Sequence, residues 1–491
     1  MRSVWLVVIW ALSVTLAGLG LAVGCSSSPA KTQAGGDGGD ASTQDVTAES
    51  AVDAGPDINQ NPDVYPASHH PIPQLDYNGG PVIQHPRVVT VTFTGDPHRD
   101  GERGFNHFIV TSSWWQQTAE SFCIDGGTYG GECVGAGSAV APEGGAWLPD
   151  GSTADGGDGY LDVELAYDFP SLTVADSDIQ TWLANHILAG DFPPSTDQTI
   201  YVIFFPSTAT ITTGSGNQLS TSCQQFAGYH GSIPAPDGGA GRPTYAVLPY
   251  CTYGISDDFD YQQLTFATSH ELAEAVTDPD VNVFTPSGDS LTAFYLFTND
   301  AWVAQPNNLS GVGGECGDLC ALVSEPTVFV GGGGNPYDES GYNVTRIWSD
   351  QAAAQSMQPC QPWSPVYFGA ALRTTAQPIP PDNHVSDGYV FVKRGQSVQV
   401  IADVFAQAPL PHDLLLYTGV PKLNATDPSD LAAPDDLITV TLSQQQVNNG
   451  DGVIVTFAAP SKASVGPYWM VIRSVLETNN YNDWPVIVYV Q

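Results

Sequence analysis

Seven of the eight cysteines lie between Cys123 and Cys360, and none follows Cys360. That placement divides the chain before any helix or strand is assigned. One segment can be stapled by disulfides; the next must hold together by packing alone. None of the seven shows zinc-ribbon spacing, and an odd number leaves one thiol over. Proximity in sequence suggests Cys123–Cys133 and Cys223–Cys251 as pairs.

The eighth cysteine sits in a different setting. Met1-Arg2 supplies one positive charge, Val4 to Val23 is almost wholly apolar, and Gly24-Cys25-Ser26-Ser27-Ser28 ends the run. A basic start, an apolar stretch and small residues before a cut site describe a secretory signal. The run would also reach across a membrane as a span of about 20 residues, but no basic stop-transfer cluster follows it. Leu21-Ala22-Val23-Gly24-Cys25 resembles the lipoprotein processing box, with Ala22 where Leu is usual. Residues 1–24 are therefore expected to be a lipoprotein signal peptide. Cys25 is the expected lipidation site, holding the protein on the cell envelope at an outer membrane or cell surface. An uncleaved anchor and plain secretion are the alternatives.

Residues 25–75 carry runs such as Gly35-Gly-Asp-Gly-Gly-Asp40 and Asp53-Ala-Gly-Pro-Asp57. With few large apolar side chains they cannot offset ordering entropy, and read as a disordered acidic tether in which His69-His70 is solvated. The whole chain has 13 Lys and Arg against 52 Asp and Glu, a formal charge of -39. Such a field excludes nucleic acid and anionic membranes as partners and attracts divalent cations. No clean EF-hand loop is present, though structural Ca2+ at an acidic loop stays open.

What remains is too long for one ordinary core, so two domains are expected. In residues 76–365, Arg87 to Phe93, Ile200 to Phe205 and Tyr245 to Pro249 read as strands. Phe105 to Phe122, Ile179 to Ile187 and Tyr261 to Val276 read as helices, the second capped at Asp176 or Ser177 and stopped by Gly190. Alternating strands and helices indicate an α/β (α+β) domain. Trp114-Trp115 could stack on sugars, but core packing is the commoner fate. In residues 366–491, starts at Tyr389, Ser397, Leu414, Leu437, Gly452, Tyr468 and Val486 mark short strands between turn residues. That is the pattern of an all-β sandwich, read as an accessory domain.

The chemistry is concentrated in Ser269-His-Glu-Leu-Ala-Glu-Ala-Val-Thr-Asp-Pro279. On a helix, His270 and Glu274 project from one face a turn apart. That is the ligand spacing of the zincin helix H-E-x-x-H with Glu in place of the second His, and Glu271 takes the general-base position. Asp278 and Asp280 follow where an extended chain could return a third ligand. The competing reading is a solvated helix face with an exposed His.

Together with Gly314-Glu-Cys-Gly-Asp-Leu-Cys320, Ile347-Trp-Ser-Asp350 and Cys360, this helix resembles a group of secreted bacterial and fungal proteins classed as zinc metalloproteases. Those carry H-E-x-x-E-A-x-T-D-P, G-E-I-G-D-x-C and a late W-S-N…C. Gly79-Gly-Pro-Val82, Trp114-Trp115 and Phe226-Ala-Gly-Tyr-His-Gly231 are similar to stretches of the plant EXORDIUM, or phosphate-induced, proteins, which generally lack the His-Glu pair. Cys316 stands where the family has Ile, and Ala227 where it has Cys. The resemblance runs from about Gly79 to Cys360 and implies a zincin-like domain and a Zn2+ site. His270 and Glu274 would be ligands, joined by Asp278, Glu315 or Asp318, with His230 available from an earlier loop. It also implies a Cys320–Cys360 bond, leaving Cys316 as the odd thiol.

The expected function is a cell-surface or secreted lipoprotein acting as a metal-dependent peptidase, with water activated by the metal and Glu271. Its partner would be an extracellular peptide or a cell-surface polymer. The alternative is a non-catalytic binding or adhesion protein with a structural metal site, zinc or calcium.

Overall fold

The computed structural model describes residues 59–491 apart from 120–121, 124–132, 136, 138–145, 148–152, 155–160, 194, 215–218, 237, 239–240, 282, 284–289, 297–300, 304–313, 322–325, 332–340, 364, 376, 380–383, 387, 423–426 and 433–437. The apolar run, Cys25 and most of the expected tether lie outside the described residues. Among those described, no helix is long and apolar enough to cross a membrane.

The first half is built on one mixed sheet. Along the chain come β1 (Arg87–Phe93), α1 (Arg99–Ile109), α2 (Ser113–Thr118), β2 (Asp162–Leu165), α3 (Asp176–Ala189), β3 (Thr199–Phe205), β4 (Tyr229–Ser232), β5 (Thr244–Pro249) and α4 (Asp257–Thr277). The sheet order is β4-β5-β3-β1-β2; β4 runs antiparallel to β5, and the other pairs are parallel. Parallel strands covered on both faces need apolar side chains in both directions, which is why β3 reads as an unbroken apolar run. Ile200, Val202 and Phe204 face a core shared with α1, α2 and α4. Tyr201, Ile203 and Phe205 face the opposite core, closed by Trp182 and Leu183 of α3.

Helix boundaries follow local chemistry. The single helix expected over Phe105 to Phe122 is two helices, because Ser112 turns extended and its Oγ accepts from Trp115 N at 3.2 Å, starting α2. Trp114 and Trp115 are fully buried, so they pack the core rather than a sugar. At α3 neither Asp176 nor Ser177 caps; Ala175 precedes the helix without a side-chain cap. Gly190 ends α3 at φ 81°, a left-handed turn glycine adopts without strain. Helix α4 starts earlier than its apolar pattern, where Ser256 accepts from Phe259 N and Asp257, Asp258 and Asp260 complement the positive helix end. Leu264, Leu272 and Val276 bury α4 in the core, each contributing roughly 1.5–3 kcal/mol.

Further along lie α5 (Asp318–Ala321) and β6 (Tyr342–Thr345), the latter packed on α4. The second half contains β7 (Phe368–Leu372), β8 (Tyr389–Val392), β9 (Gln396–Ala406), β10 (Leu414–Pro421), β11 (Leu431–Ala432), β12 (Thr439–Leu442), β13 (Gln446–Val447), β14 (Gly452–Ala459), β15 (Gly466–Glu477) and β16 (Asn480–Val490). A four-stranded sheet β7-β9-β14-β12 faces a six-stranded one ordered β8-β16-β15-β10-β11, with β13 also paired to β10. This is a β-sandwich, its interior filled by Val404, Val455 and Phe457 against Met470, Val486 and Val488. Strand β7 has no counterpart in the sequence reading: Phe-Gly-Ala-Ala-Leu lacks β-branched residues and alternation, because all five are buried. The architecture changes near Pro365, but the packing does not. One continuous core runs from Phe105 through Trp348 and Tyr367 into the sandwich, and the described residues form one compact unit.

The end of the expected tether is ordered. Residues 59–70 lie against the sandwich and Leu75 N donates to Asp350 Oδ1 at 2.8 Å, correcting the expectation of a disordered segment reaching residue 75. Asn449 Oδ1 accepts from Ala67 N at 3.2 Å, and its Nδ2 donates to Pro62 O and Val64 O at 2.9 and 2.8 Å. His69, expected in solvent, stacks on Phe405 with ring centroids 3.8 Å apart. Ala67, Ile72 and Leu75 are buried, so this stretch carries enough apolar surface to dock despite its polar neighbours.

Disulfides join Cys123 to Cys133, Cys223 to Cys251 and Cys320 to Cys360; Cys316 is a buried free thiol. Bonds of this kind persist in oxidising surroundings, which suits an extracellular or cell-surface protein.

Candidate metal centre

Helix α4 carries His270, Glu271 and Glu274 into the protein rather than toward solvent. Glu271 and Glu274 are 7% and 3% exposed, which removes the reading of a solvated helix face. His270 Nε2 lies 3.1 Å from Glu274 Oε1 and 3.5 Å from Asp318 Oδ1. The ligand atoms of these three residues all fall within 4.8 Å of one another. Donors held at about 2.0–2.2 Å around a tetrahedral zinc are roughly 3.3–3.6 Å apart, so the spacing fits such an ion.

Asp318 arrives on α5, whose first turn also presents its backbone. Gly317 N and Asp318 N donate to Glu274 Oε1 at 3.2 and 3.0 Å, holding that carboxylate in place. The close approach needs glycine at 317: a Cβ there would meet His270 Nδ1 at 2.8 Å and Glu274 Oε1 at 2.9 Å. Cys320, on the same short helix, is tied to Cys360. The sequence reading did not anticipate the part of Gly317, although a glycine between Cys316 and Asp318 was the visible signal.

Glu271 turns to the edge strand. His230, expected in a loop, lies on β4, with Nδ1 3.2 Å from Glu271 Oε2 and Nε2 3.1 Å from the Asp278 carbonyl oxygen. Gly228 leaves room for this carboxylate, since a Cβ there would stand 2.9 Å from Glu271 Cγ. Among the described residues, neither Asp278 nor Glu315 belongs to a group of converging ligand atoms. Asp278 caps α4, and its Oδ1 accepts from Ala293 N at 2.8 Å. Glu315 Oε1 lies on the Nε2 side of His230, 3.4 Å away. Asp280 is engaged by Ser232 and, at 3.0 Å, by Arg242.

The charges are strongly perturbed. Burial opposes a proton on His270, yet Glu274 and Asp318 carry it well above the ordinary imidazole range. His230 is likewise penalised by burial but pushed up to about 8 by Glu271 and Glu274. Burial works against Glu274 ionising, but His270 and His230 hold it below the usual carboxylate range. Burial, with Glu274 nearby, lifts Asp318 to about 6. Burial lifts Asp278 to about 7 and Glu315 well above its normal value. The Cys316 thiol is raised by burial, so it remains a thiol. Five carboxylates and two imidazoles packed this tightly attract positive charge, and clusters of perturbed groups are characteristic of functional sites.

No family model matches the chain, and no curated protein matches it. Solved structures show distant likenesses. Domains 1–6 of the surface layer protein SbsC are 17% identical, cover 25% of this chain and 13% of that one, and give a TM-score of 0.15. The GspB Siglec domain is 18% identical, covers 21% and 54%, and gives 0.16. A nucleoside hydrolase-related hypothetical protein from Saccharophagus degradans is 10% identical, covers 83% and 100%, and gives 0.19. The chain spans less than two thirds of the first two structures. At TM-scores this low, the likenesses carry no argument about the site.

Proposed function

We propose that the chain is a zincin-like, metal-dependent peptidase, exported and anchored to the cell envelope through Cys25. The observation that carries this is the convergence of His270 Nε2, Glu274 Oε1 and Asp318 Oδ1, with Glu271 on the same buried helix turn. One imidazole and two carboxylates suit a borderline divalent ion such as Zn2+ better than Ca2+, which takes 6–8 oxygens. When bound, such an ion supplies Lewis-acid polarisation and makes water more acidic.

The chain's own residues do the rest. Glu271 accepts the proton of the attacking water and returns it to the leaving amine, the usual work of a positioned carboxylate. His230 lies against Glu271 Oε2 and fixes where that carboxylate points. Strand β4 ends the sheet, so an extended peptide pairing along it would bring a carbonyl past His230 toward the centre. A peptide is therefore the favoured substrate.

The abundance of carboxylates favours one other reading. Anionic ligands reduce an ion's pull on water, which suits a structural ion in a non-catalytic binding protein. A broad peptide library separates the two. Zinc-loaded protein should cleave it, lose that activity on chelation and regain it when Zn2+ returns. If loaded protein cleaves nothing while chelation only lowers its melting temperature, the structural-ion reading replaces the peptidase.

A further inference from the structure

Glu274 does not serve one group alone. Its Oε1 faces His270, while its Oε2 lies 3.9 Å from His230 Nδ1. The same nitrogen is 3.2 Å from Glu271 Oε2, and His230, Glu271 and Glu274 form a second set of ligand atoms within 4.8 Å of one another. The separations 3.2 and 3.9 Å bracket the donor spacing of roughly 3.3–3.6 Å around a tetrahedral zinc.

The hydrogen bonding of His230 sharpens this. Its Nε2 lies 3.1 Å from the Asp278 carbonyl oxygen, which can only accept, so Nε2 carries the ring proton in the neutral imidazole. In that neutral form Nδ1 presents its lone pair to two buried carboxylates, and either a proton on Nδ1 or a metal cation between them relieves the repulsion. A ring N–H committed to a backbone carbonyl, with the other nitrogen left as a donor, is the orientation that outer hydrogen bonds impose on metal-binding histidines. Glu315 lies by the other edge of the ring, its Oε1 3.4 Å from Nε2; it is 4% exposed, and that oxygen accepts no hydrogen bond.

We propose that the centre holds two divalent cations bridged by Glu274, the first on His270, Glu274 and Asp318, the second on His230, Glu271 and Glu274. This rests on the reading of the first group as a metal site. The second position, with one imidazole and two carboxylates, takes a borderline ion, Zn2+ or Mn2+. Glu271 anchors that ion through Oε2 and keeps Oε1 for the proton of the attacking water. Two ions sharing a carboxylate in this way clamp a reacting group from both sides.

The test counts ions on the full chain. Chelator-stripped protein is titrated with Zn2+ alone and weighed by native mass spectrometry. Wild type should saturate at two ions, and His230→Gln and Glu271→Gln at one each. With Mn2+, paramagnetic resonance should show an exchange-coupled pair in wild type and an isolated ion in His230→Gln, with folding confirmed by circular dichroism. Saturation of wild type at one ion, unchanged in His230→Gln, overturns the proposal and places a proton on Nδ1 instead. The wild-type count stands whether or not the variants fold. Two ions without any peptide cleavage would keep this inference and remove the peptidase reading; one ion with cleavage would do the reverse.

Discussion

Glu271→Gln is expected to keep the fold and the ion held by His270 while lowering the rate of peptide cleavage by at least ~10²-fold. The amide has the shape of the carboxylate, so the tight pocket beside Gly228 is preserved, but it cannot take a proton from water. His270→Ala should fail differently, losing that ion and activity together, because it removes the one imidazole of the first group. The contrast is read by metal content, melting temperature and kcat measured side by side. A Glu271→Gln variant that cleaves at the wild-type rate would show that this carboxylate is no base. The chemistry would then have to come from another residue.

Opening the Cys320–Cys360 bond is expected to cost more stability than opening Cys123–Cys133. The bond spans 40 residues, and loop-closure entropy assigns it about 4 kcal/mol, against about 3 kcal/mol for the 10-residue Cys123–Cys133 loop. Its effect should extend to the metal. Cys320 shares the four-residue α5 with Asp318, and the turn before it supplies the Gly317 and Asp318 N–H groups that hold Glu274. Cys320→Ser with Cys360→Ser should therefore lower both the melting temperature and zinc affinity. Cys123→Ser with Cys133→Ser should lower only the first. Unchanged zinc affinity in the 320/360 variant would mean that packing alone fixes α5.

The legible parts of this chain were those governed by local rules. Strand β3 announced itself as an apolar run, α4 by its period, and the sandwich by seven short strands between turns. Likewise His270, Glu271 and Glu274 were legible because one helix turn sets their spacing. The remainder depended on tertiary packing. Asp278, Glu315 and Asp318 were equal candidates in sequence; only the path of the chain separates them, turning Asp278 Oδ1 to the Ala293 N–H. His230 sits 40 residues before His270, and pairing with β5 is what brings it to Glu271. Residues 59–75 looked like tether because their composition is polar, yet Ala67, Ile72, Leu75 and the His69–Phe405 stack find partners far along the chain. The break between α1 and α2 hung on Ser112, a cap inside an otherwise continuous apolar stripe.

X-ray absorption at the zinc edge of the purified, zinc-loaded chain tests the metal centre most directly. The expected result is a shell of nitrogen and oxygen donors at about 2.0–2.2 Å, with imidazole scattering that is diminished in His270→Ala. It would be contradicted by a chain that retains no zinc after loading. A sulfur donor at about 2.3 Å, pointing to Cys316, or an imidazole signal unchanged in His270→Ala would contradict it equally.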